Sequence, residues 1–354
     1  MNTETRLELS YYREIGVINE SHRIYLVQHI ETHKVYVKKI LAAYNYDIYT
    51  RLMTFPIPGL PKIYCLHEED STLTVIEEYI SGNTIEELLS QNGAFPEISV
   101  EICISQLCEI LKKIHSLNPP IVHRDIKPSN VMITPEGQSI LLDLNAARLE
   151  ISKQEDTVLL GTHGYSAPEQ YGFGSSTTSA DIYALGMLMN TMLWGEFNKT
   201  IYPNSKLTSI IKRCTEINPA DRYSSIDKVA SAIEAKRSKT IKKYRRYLPP
   251  GFRSGNPFHA LIAVPVYLFF SWVTLTLETQ NVGAALRFER ISTFIMVMAT
   301  IAAATDYMGF QRLFPLCNNS KKGVRIIAKI LFSAIVFFFG LGTTIIIESF
   351  LFPT

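Results

Sequence analysis

The residues best suited to chemistry in this 354-residue chain lie at positions 123–130 and at position 143. Asp125 offers a carboxylate, Lys127 a cation, and Asn130 and Asp143 offer oxygen atoms. Phosphoryl transfer from a magnesium-bound nucleotide to a hydroxyl needs a base, a positive charge near the moving phosphoryl group, and oxygen ligands for Mg²⁺. We therefore predict Asp125 as the base and Lys127 as the cation. Asn130 and Asp143 are the predicted metal ligands.

The motif at 123–130 resembles the catalytic loop of the eukaryotic-type protein kinases, H-R-D-x-x-x-x-N, and matches every motif position. Further blocks follow in the order of that family. Leu-Asp-Leu-Asn at 142–145 resembles D-F-G, with Leu for Phe and Asn for Gly, and 161–169 resembles the segment that closes the activation loop. The resemblance implies an α+β fold, the two-lobed protein kinase fold, over residues 10–235. Strands should dominate its N-terminal lobe and helices its C-terminal lobe.

Other residues match buried contacts and a specificity feature of the family. Asp181 resembles the aspartate that holds the backbone of the catalytic loop, and Arg222 resembles the arginine that pairs with Glu169. Lys127, two residues after Asp125, matches the Ser/Thr-specific branch. The resemblance thus implies a membrane-anchored bacterial Ser/Thr kinase that uses ATP and Mg²⁺ to phosphorylate Ser or Thr of a protein substrate.

One lysine is predicted to bind the nucleotide phosphates. The alternation at 35–38, Val-Tyr-Val-Lys, is typical of a half-buried strand, and Lys38 matches the phosphate-binding lysine of the family. Lys39 follows directly, but the family spacing favours Lys38. The family's partner glutamate is missing, because Asp47 is the one acidic residue between positions 41 and 66. Asp47 is either the partner of Lys38 or a solvated charge on a helix face.

The rest of the predicted nucleotide site departs further from the family. Gly16 is the one glycine at 14–25, where the family has G-x-G-x-x-G, and this makes a close approach of the backbone to phosphates harder. The backbone groups of Glu78 and Ile80 are predicted to hydrogen-bond the adenine edge. Two alternatives stay open, a membrane-bound pseudokinase scaffold with weak or no phosphotransfer, and a small-molecule kinase of similar fold.

Several further residues have their own interpretations. His123 is interpreted as a prop for the catalytic loop. The five cysteines contain no C-x-x-C pair, which argues against zinc and iron–sulfur sites, and Cys103 and Cys108 are predicted to be core thiols. Thr157 is either a phosphosite or an exposed loop residue, and Thr162 resembles the family's hydroxyl that bonds the catalytic Asp and Lys.

Composition changes after about residue 235. Residues 236–256 are a predicted basic juxtamembrane linker, in which 236–246 hold seven Lys or Arg and no acid. Because an apolar region follows, we expect this run to bind anionic lipid headgroups, at about 1 kcal/mol per cation, and not nucleic acid.

The remaining residues, 257–354, are predicted to form an all-α transmembrane tail. About three spans are expected in the lipid bilayer, at about 258–277, 291–310 and 330–347. More Lys and Arg flank the spans on the kinase side, so we predict a multi-pass protein of the cell membrane with a cytoplasmic kinase domain. Asp306, near the end of the second span, is either a functional acid or a solvated interfacial one.

Overall fold

The computed structural model divides the chain into two compact units, Met1–Lys236 and Arg237–Thr354. Each unit contains buried hydrophobic clusters of its own. The structure describes residues 3–150, 164–171, 177–197, 202–245, 248–253, 256–276, 281–318 and 322–352.

The first unit begins with a helix and a five-stranded antiparallel sheet of order β1-β2-β3-β5-β4. Helix α1 (Thr3–Ser10) precedes the sheet, and α2 (Tyr46–Thr54) connects β3 to β4. The strands are β1 (Tyr12–Asn19), β2 (Ile24–His29), β3 (Val35–Leu41), β4 (Ile63–Glu69) and β5 (Thr72–Glu78). The side chain of Asn45 caps the start of α2 by accepting a hydrogen bond from the backbone N–H of Ile48.

The two faces of this sheet have different surroundings. On one face, Leu41, Leu73 and Val75 belong to the same buried cluster as Ile48 and Leu52 of α2. Since side chains alternate along a strand, the neighbours of these residues point the other way. There the buried residues Val27, Cys65 and Ile76 form a separate cluster with several tyrosines. The face on which a β3 side chain lies therefore decides whether it points toward α2.

The rest of the first unit is mainly helical. Its helices are α3 (Ile85–Asn92), α4 (Glu97–His115), α5 (Thr178–Trp194) and α6 (Thr208–Cys214), and α7 (Ile226–Arg245) begins in this unit and continues past its last residue. Its short strands are β6 (Asn83–Thr84), β7 (Ile121–Val122), β8 (Val131–Ile133), β9 (Ser139–Leu141) and β10 (Arg148–Leu149). They form two small antiparallel sheets, β6-β8-β9 and β7-β10. The predicted core thiols are confirmed, because Cys103 and Cys108 of α4 are both buried in the main cluster.

The basic run that was predicted as a linker begins as a helix. Residues 236–245 continue α7, which ends at Arg245. Lys and Arg are good helix formers, and Pro249 and Pro250 follow where the helix has ended.

The second unit contains helices α8 (Pro257–Leu275), α9 (Gly283–Ala304) and α10 (Lys322–Leu351). Among the described residues, two helices are long and apolar enough to cross a membrane, Pro257–Leu275 and Gly323–Leu351. By length and composition they suggest membrane association, and two such helices are weak evidence for it.

The helix that corresponds to the predicted second span has other bounds than 291–310. α9 begins eight residues earlier, at Gly283, and therefore includes the charged residues Arg287, Glu289 and Arg290. It ends at Ala304, and the exposed Asp306 follows with φ of 52°, which is incompatible with a continuing helix. The Asp306 carboxylate accepts a hydrogen bond from the backbone N–H of Gln311 at 3.1 Å.

Candidate active site

Three of the predicted catalytic residues meet in the turn between β7 and β8. The Asp125 carboxylate accepts hydrogen bonds from Lys127 Nζ at 2.9 Å and from Asn130 Nδ2 at 2.8 Å. Asn130 Nδ2 also donates to the backbone carbonyl of Asp125 at 2.9 Å. A one-turn 3₁₀ helix, Pro128–Asn130, brings the amide back toward the carboxylate. A cation and an amide thus both contact the same carboxylate oxygen, Oδ2.

The fourth predicted residue, Asp143, lies two residues after the end of the neighbouring strand, β9. Val131 of β8 pairs with Leu141 of β9, and the backbone N–H of Leu142 donates to the carbonyl of Asn130 at 2.8 Å. Asn130 and Asp143 therefore lie at adjacent strand ends. Asp143 has φ of 60°, so the chain turns sharply there. Because the nitrogen of the Asn130 amide is the donor in both of its bonds, its oxygen is the atom that can ligate a cation.

A buried aspartate fixes the start of the catalytic loop. Asp181 of α5 accepts hydrogen bonds from the backbone N–H groups of His123 at 2.9 Å and Arg124 at 2.8 Å. His115 Nε2 lies 2.8 Å from the same carboxylate. Burial raises the pKa of Asp181, but the hydrogen bond and charge of His115, with His123 and Arg124, bring the pKa below its ordinary value. The predicted role of Asp181 is confirmed.

His123 connects the catalytic loop to the residue directly before Asp143. The side chain is fully buried, and its Nε2 lies 3.1 Å from the carbonyl oxygen of Leu142. Its backbone is held by Asp181 at the same time. The interpretation of His123 as a prop for the loop is confirmed.

The predicted ion pair between Glu169 and Arg222 is also confirmed. Two parallel hydrogen bonds of 2.7 and 2.8 Å join the guanidinium to the carboxylate, and both side chains are buried. Arg222 Nε donates further to the carbonyl of Glu216 at 2.8 Å. Next to Glu169, the Gln170 amide donates to the carbonyl of Arg124 at 2.9 Å. This cluster therefore supports the catalytic loop from the helical side.

The structure contradicts the choice of Lys38 as the lysine that faces the site. Lys38 is ion-paired at 2.8 Å with Glu14 of β1, on the sheet face that points away from α2. Lys39 lies on the other face and pairs with Glu77 at 2.7 Å, with both side chains buried. Burial lowers the pKa of Lys39, but the charges of Glu77 and Asp143 outweigh this and raise the pKa above its ordinary value. Lys39, and not Lys38, is therefore on the sheet face that carries Glu77.

Among the described residues, the ion-pair partners of Lys38 and Lys39 are Glu14 and Glu77, and Asp47 pairs with neither lysine. It is exposed in the first turn of α2, which agrees with the alternative of a solvated helix charge. The buried face of α2 carries Tyr49, whose hydroxyl donates to Asn145 Oδ1 at 2.9 Å. Neither Glu77 nor Tyr49 was selected from the sequence. The alternation Leu73, Val75, Glu77, which continues a buried face, is the signal that could have identified Glu77.

The other predicted nucleotide contacts are Gly16 and the backbone groups of Glu78 and Ile80. Gly16 pairs with Leu26 within the hairpin of β1 and β2, and an added Cβ there would make an ordinary contact at 3.8 Å, so this position does not require glycine. The backbone N–H of Glu78 donates to the carbonyl of Lys62 at 2.8 Å, so a contact with adenine would have to use the Glu78 carbonyl. Ile80 is half-buried just beyond β5. Gly161, Thr157 and Thr162 lie outside the described residues.

Comparisons with known proteins agree with this arrangement. Residues 16–243 match the family model of the protein kinase domain. The chain is 28% identical over 203 residues to serine/threonine-protein kinase B of Synechocystis sp., which covers 50% of the chain and 35% of that protein. It is 24% identical over 201 residues to serine/threonine-protein kinase PknA of Nostoc sp., covering 49% and 35%. A putative serine/threonine-protein kinase of Mycoplasma pneumoniae is 29% identical over 234 residues, covering 59% and 57%. The chain thus spans about a third to just over half of the length of these relatives.

Proposed function

Because the chain belongs to the protein kinase family, we propose that it transfers the γ-phosphate of ATP to Ser or Thr hydroxyl groups of proteins, with Mg²⁺ as cofactor. The observation that carries the proposal is the Asp125 carboxylate, whose Oδ2 lies at hydrogen-bond distance from both Lys127 Nζ and Asn130 Nδ2. A proton acceptor is useful in this reaction only when it is held in one orientation.

In the proposed mechanism Asp125 accepts the proton of the substrate hydroxyl. Lys127 places a positive charge 2.9 Å from that carboxylate, and the same cation can approach the transferred phosphoryl group. Asn130 orients the carboxylate through its amide nitrogen. Loss of Asn130 should therefore misplace the base as well as remove a proposed ligand of Mg²⁺.

The donor set of Asn130 and Asp143 fits Mg²⁺. One amide oxygen and one carboxylate are hard oxygen ligands of the kind that Mg²⁺ takes when it is shared with nucleotide phosphates. When bound, Mg²⁺ neutralises charge on the phosphates. Lys39 is the proposed phosphate contact in place of Lys38, and the Glu78 carbonyl and the backbone of Ile80 are the proposed adenine contacts.

We further propose that the second unit anchors the kinase in the cell membrane through three spans, with the kinase unit in the cytoplasm. The length and composition of α8 and α10 support two of the spans, and α9 would be the third. The basic residues at 236–246 would then bind anionic lipid headgroups. Extraction of membranes with alkaline carbonate should leave the chain in the pellet, and its release into the supernatant would contradict the anchor.

The pseudokinase scaffold is the second candidate function, because the hairpin that would cover the phosphates has one glycine and α2 offers no acid to the site lysine. The variant Asp125→Ala separates the two. We expect it to lose phosphotransfer and to keep the rise in melting temperature that Mg-ATP gives the wild type. Asp47→Ala is the matched control, since it removes the same side chain from an exposed position. Equal transfer by Asp125→Ala and wild type would overturn the assignment of the base, and a folded wild type that binds Mg-ATP without transfer would favour the scaffold.

A further inference from the structure

The acidic partner of the site lysine comes from the sheet and not from helix α2. Glu77 is the penultimate residue of β5, directly before Glu78, whose carbonyl is a proposed adenine contact. Its Oε1 lies 2.7 Å from Lys39 Nζ. We propose that Glu77 positions Lys39 for the nucleotide phosphates, in the role that an acid on α2 would otherwise have. This inference rests on the proposed kinase function.

The register of the sheet explains how the two side chains meet. β3 and β5 are antiparallel neighbours, with Val37 opposite Glu77 and Lys39 opposite Val75. Lys39 and Glu77 are therefore diagonal neighbours on one face, a spacing that long side chains can bridge. Because hydrogen-bonded strands keep this register, the lysine is positioned by the sheet itself.

The charges around Lys39 indicate what would follow from loss of Glu77. Lys39 and Glu77 are both buried, and a buried charge needs a partner of opposite sign. Asp143 is a second acid whose charge acts on Lys39. Without the carboxylate of Glu77, Lys39 would lose the contact at 2.7 Å that fixes its ammonium group. Loss of Glu77 should therefore impair nucleotide use, because the lysine would no longer be held in one orientation.

Helix α2 presents a neutral group where the acid would have been. Tyr49 is buried, and its hydroxyl donates to Asn145 two residues after Asp143. Burial, followed by the charges of Glu77 and Asp143, raises the pKa of Tyr49 well above its ordinary value, so the phenol stays protonated. In kinases whose lysine pairs with an acid on this helix, the position of the helix controls the pair. Here a shift of α2 would break the bond between Tyr49 and Asn145 and leave the pair of Lys39 and Glu77 intact.

The test uses the full chain in lipid nanodiscs and the variant Glu77→Gln, which keeps the size of the side chain and removes its charge. We expect kcat/KM for ATP to fall roughly 10- to 100-fold, the effect of losing one charge-assisted hydrogen bond. The control is Asp227→Asn, which likewise replaces a carboxylate by its amide and breaks the exposed pair of Lys112 and Asp227 in the helical part of the chain. We expect this control to change kcat/KM by less than about twofold, as for an exposed pair.

A rescue variant distinguishes positioning from simple folding damage. Tyr49→Glu in the Glu77→Gln background supplies an acid from α2, and we expect it to restore at least part of kcat/KM for ATP. A merely structural role would make the double variant worse than either single variant. Wild-type kinetics in Glu77→Gln, faster turnover in Glu77→Gln, or no recovery in the double variant would each overturn the proposal.

Failure of the proposed function would be recognisable separately. In that case the wild type transfers no phosphate, and the dissociation constant of Mg-ATP, measured by calorimetry, becomes the readout. We expect Glu77→Gln to weaken binding by about tenfold or more, for the same loss of a charge-assisted contact. Equal affinities of wild type and Glu77→Gln would overturn the positioning role, whether or not the chain is an active kinase.

Discussion

Two adjacent lysines allow a test in which each position is the control for the other. Lys39→Met removes a cation from a pair whose side chains are 9% and 10% exposed, Lys39 and Glu77. Lys38→Met removes the same group from a pair whose side chains are 24% and 50% exposed, Lys38 and Glu14. The two substitutions are chemically identical and one residue apart, so a difference in their effects must come from the surroundings.

The burial of the two pairs gives the expected magnitudes. Removal of one partner from a buried pair costs about 3–5 kcal/mol, because the other charge stays behind without compensation. An exposed pair contributes about 0–1 kcal/mol. For a domain of this size each kcal/mol shifts the melting temperature by about 2–4 °C, so Lys39→Met should lower it by about 6–20 °C. Lys38→Met should lower it by less than about 4 °C.

Tryptophan fluorescence is a suitable assay because the chain has two tryptophans, one in each unit. Trp272→Phe as a common background leaves Trp194, which reports on the first unit alone. Binding of Mg-ATP, followed as a rise in the same melting temperature, is the second readout. We expect this rise to be lost in Lys39→Met and kept in Lys38→Met.

The reverse pattern would refute the reasoning. A larger loss of stability in Lys38→Met, together with loss of the Mg-ATP effect in that variant only, would show that Lys38 faces the nucleotide. The family spacing would then be the better guide than the observed pair of Lys39 and Glu77. Equal losses in both variants would show that burial does not distinguish the two pairs.

Other contacts give further predictions for the same melting assay. Arg222→Met should lower the free energy of unfolding by about 3–5 kcal/mol, because it leaves Glu169 buried without the guanidinium. Adding Glu169→Gln should recover part of this loss, and a double-mutant cycle measures the recovery. Asp181 has a pKa below its ordinary value of 3.8, so its contribution to stability is present above about that pH and is lost as the pH falls through the lower folded-state pKa. Asp181→Asn should therefore be less stable than the wild type at neutral pH and should lose less stability on acidification. If the melting temperatures of the variant and the wild type fall equally below about that pH, the prediction is wrong. Tyr49→Phe should cost about 0.5–1.5 kcal/mol through loss of the bond to Asn145, with Mg-ATP binding retained.

The catalytic loop could be predicted because its residues are close in sequence. Asp125, Lys127 and Asn130 lie within six positions, so a single turn suffices to bring them together. The long-range pair of Glu169 and Arg222 could be predicted from family resemblance alone, since nothing local connects residues 53 positions apart. Both predictions depended on the family's motifs and on their order along the chain.

The site lysine could not be chosen in the same way. Lys38 and Lys39 are neighbours on one strand, so a difference of one residue moves the charge to the opposite face of the sheet. Which face meets α2 is decided by packing, through Leu41 and its partners in the core. Glu77 escaped notice for a related reason, because an acid at the end of a strand is usually exposed.

Phosphate transfer from γ-labelled ATP tests the central claim most directly. The full chain in nanodiscs, with Mg²⁺, is compared with Asp143→Asn, since asparagine tolerates the left-handed backbone that Asp143 adopts. We predict label on Ser or Thr in the wild type and at least about a hundredfold less in the variant at unchanged melting temperature, as for a group that acts in the transition state. A folded wild type that binds Mg-ATP and incorporates no more label than Asp143→Asn would contradict the account.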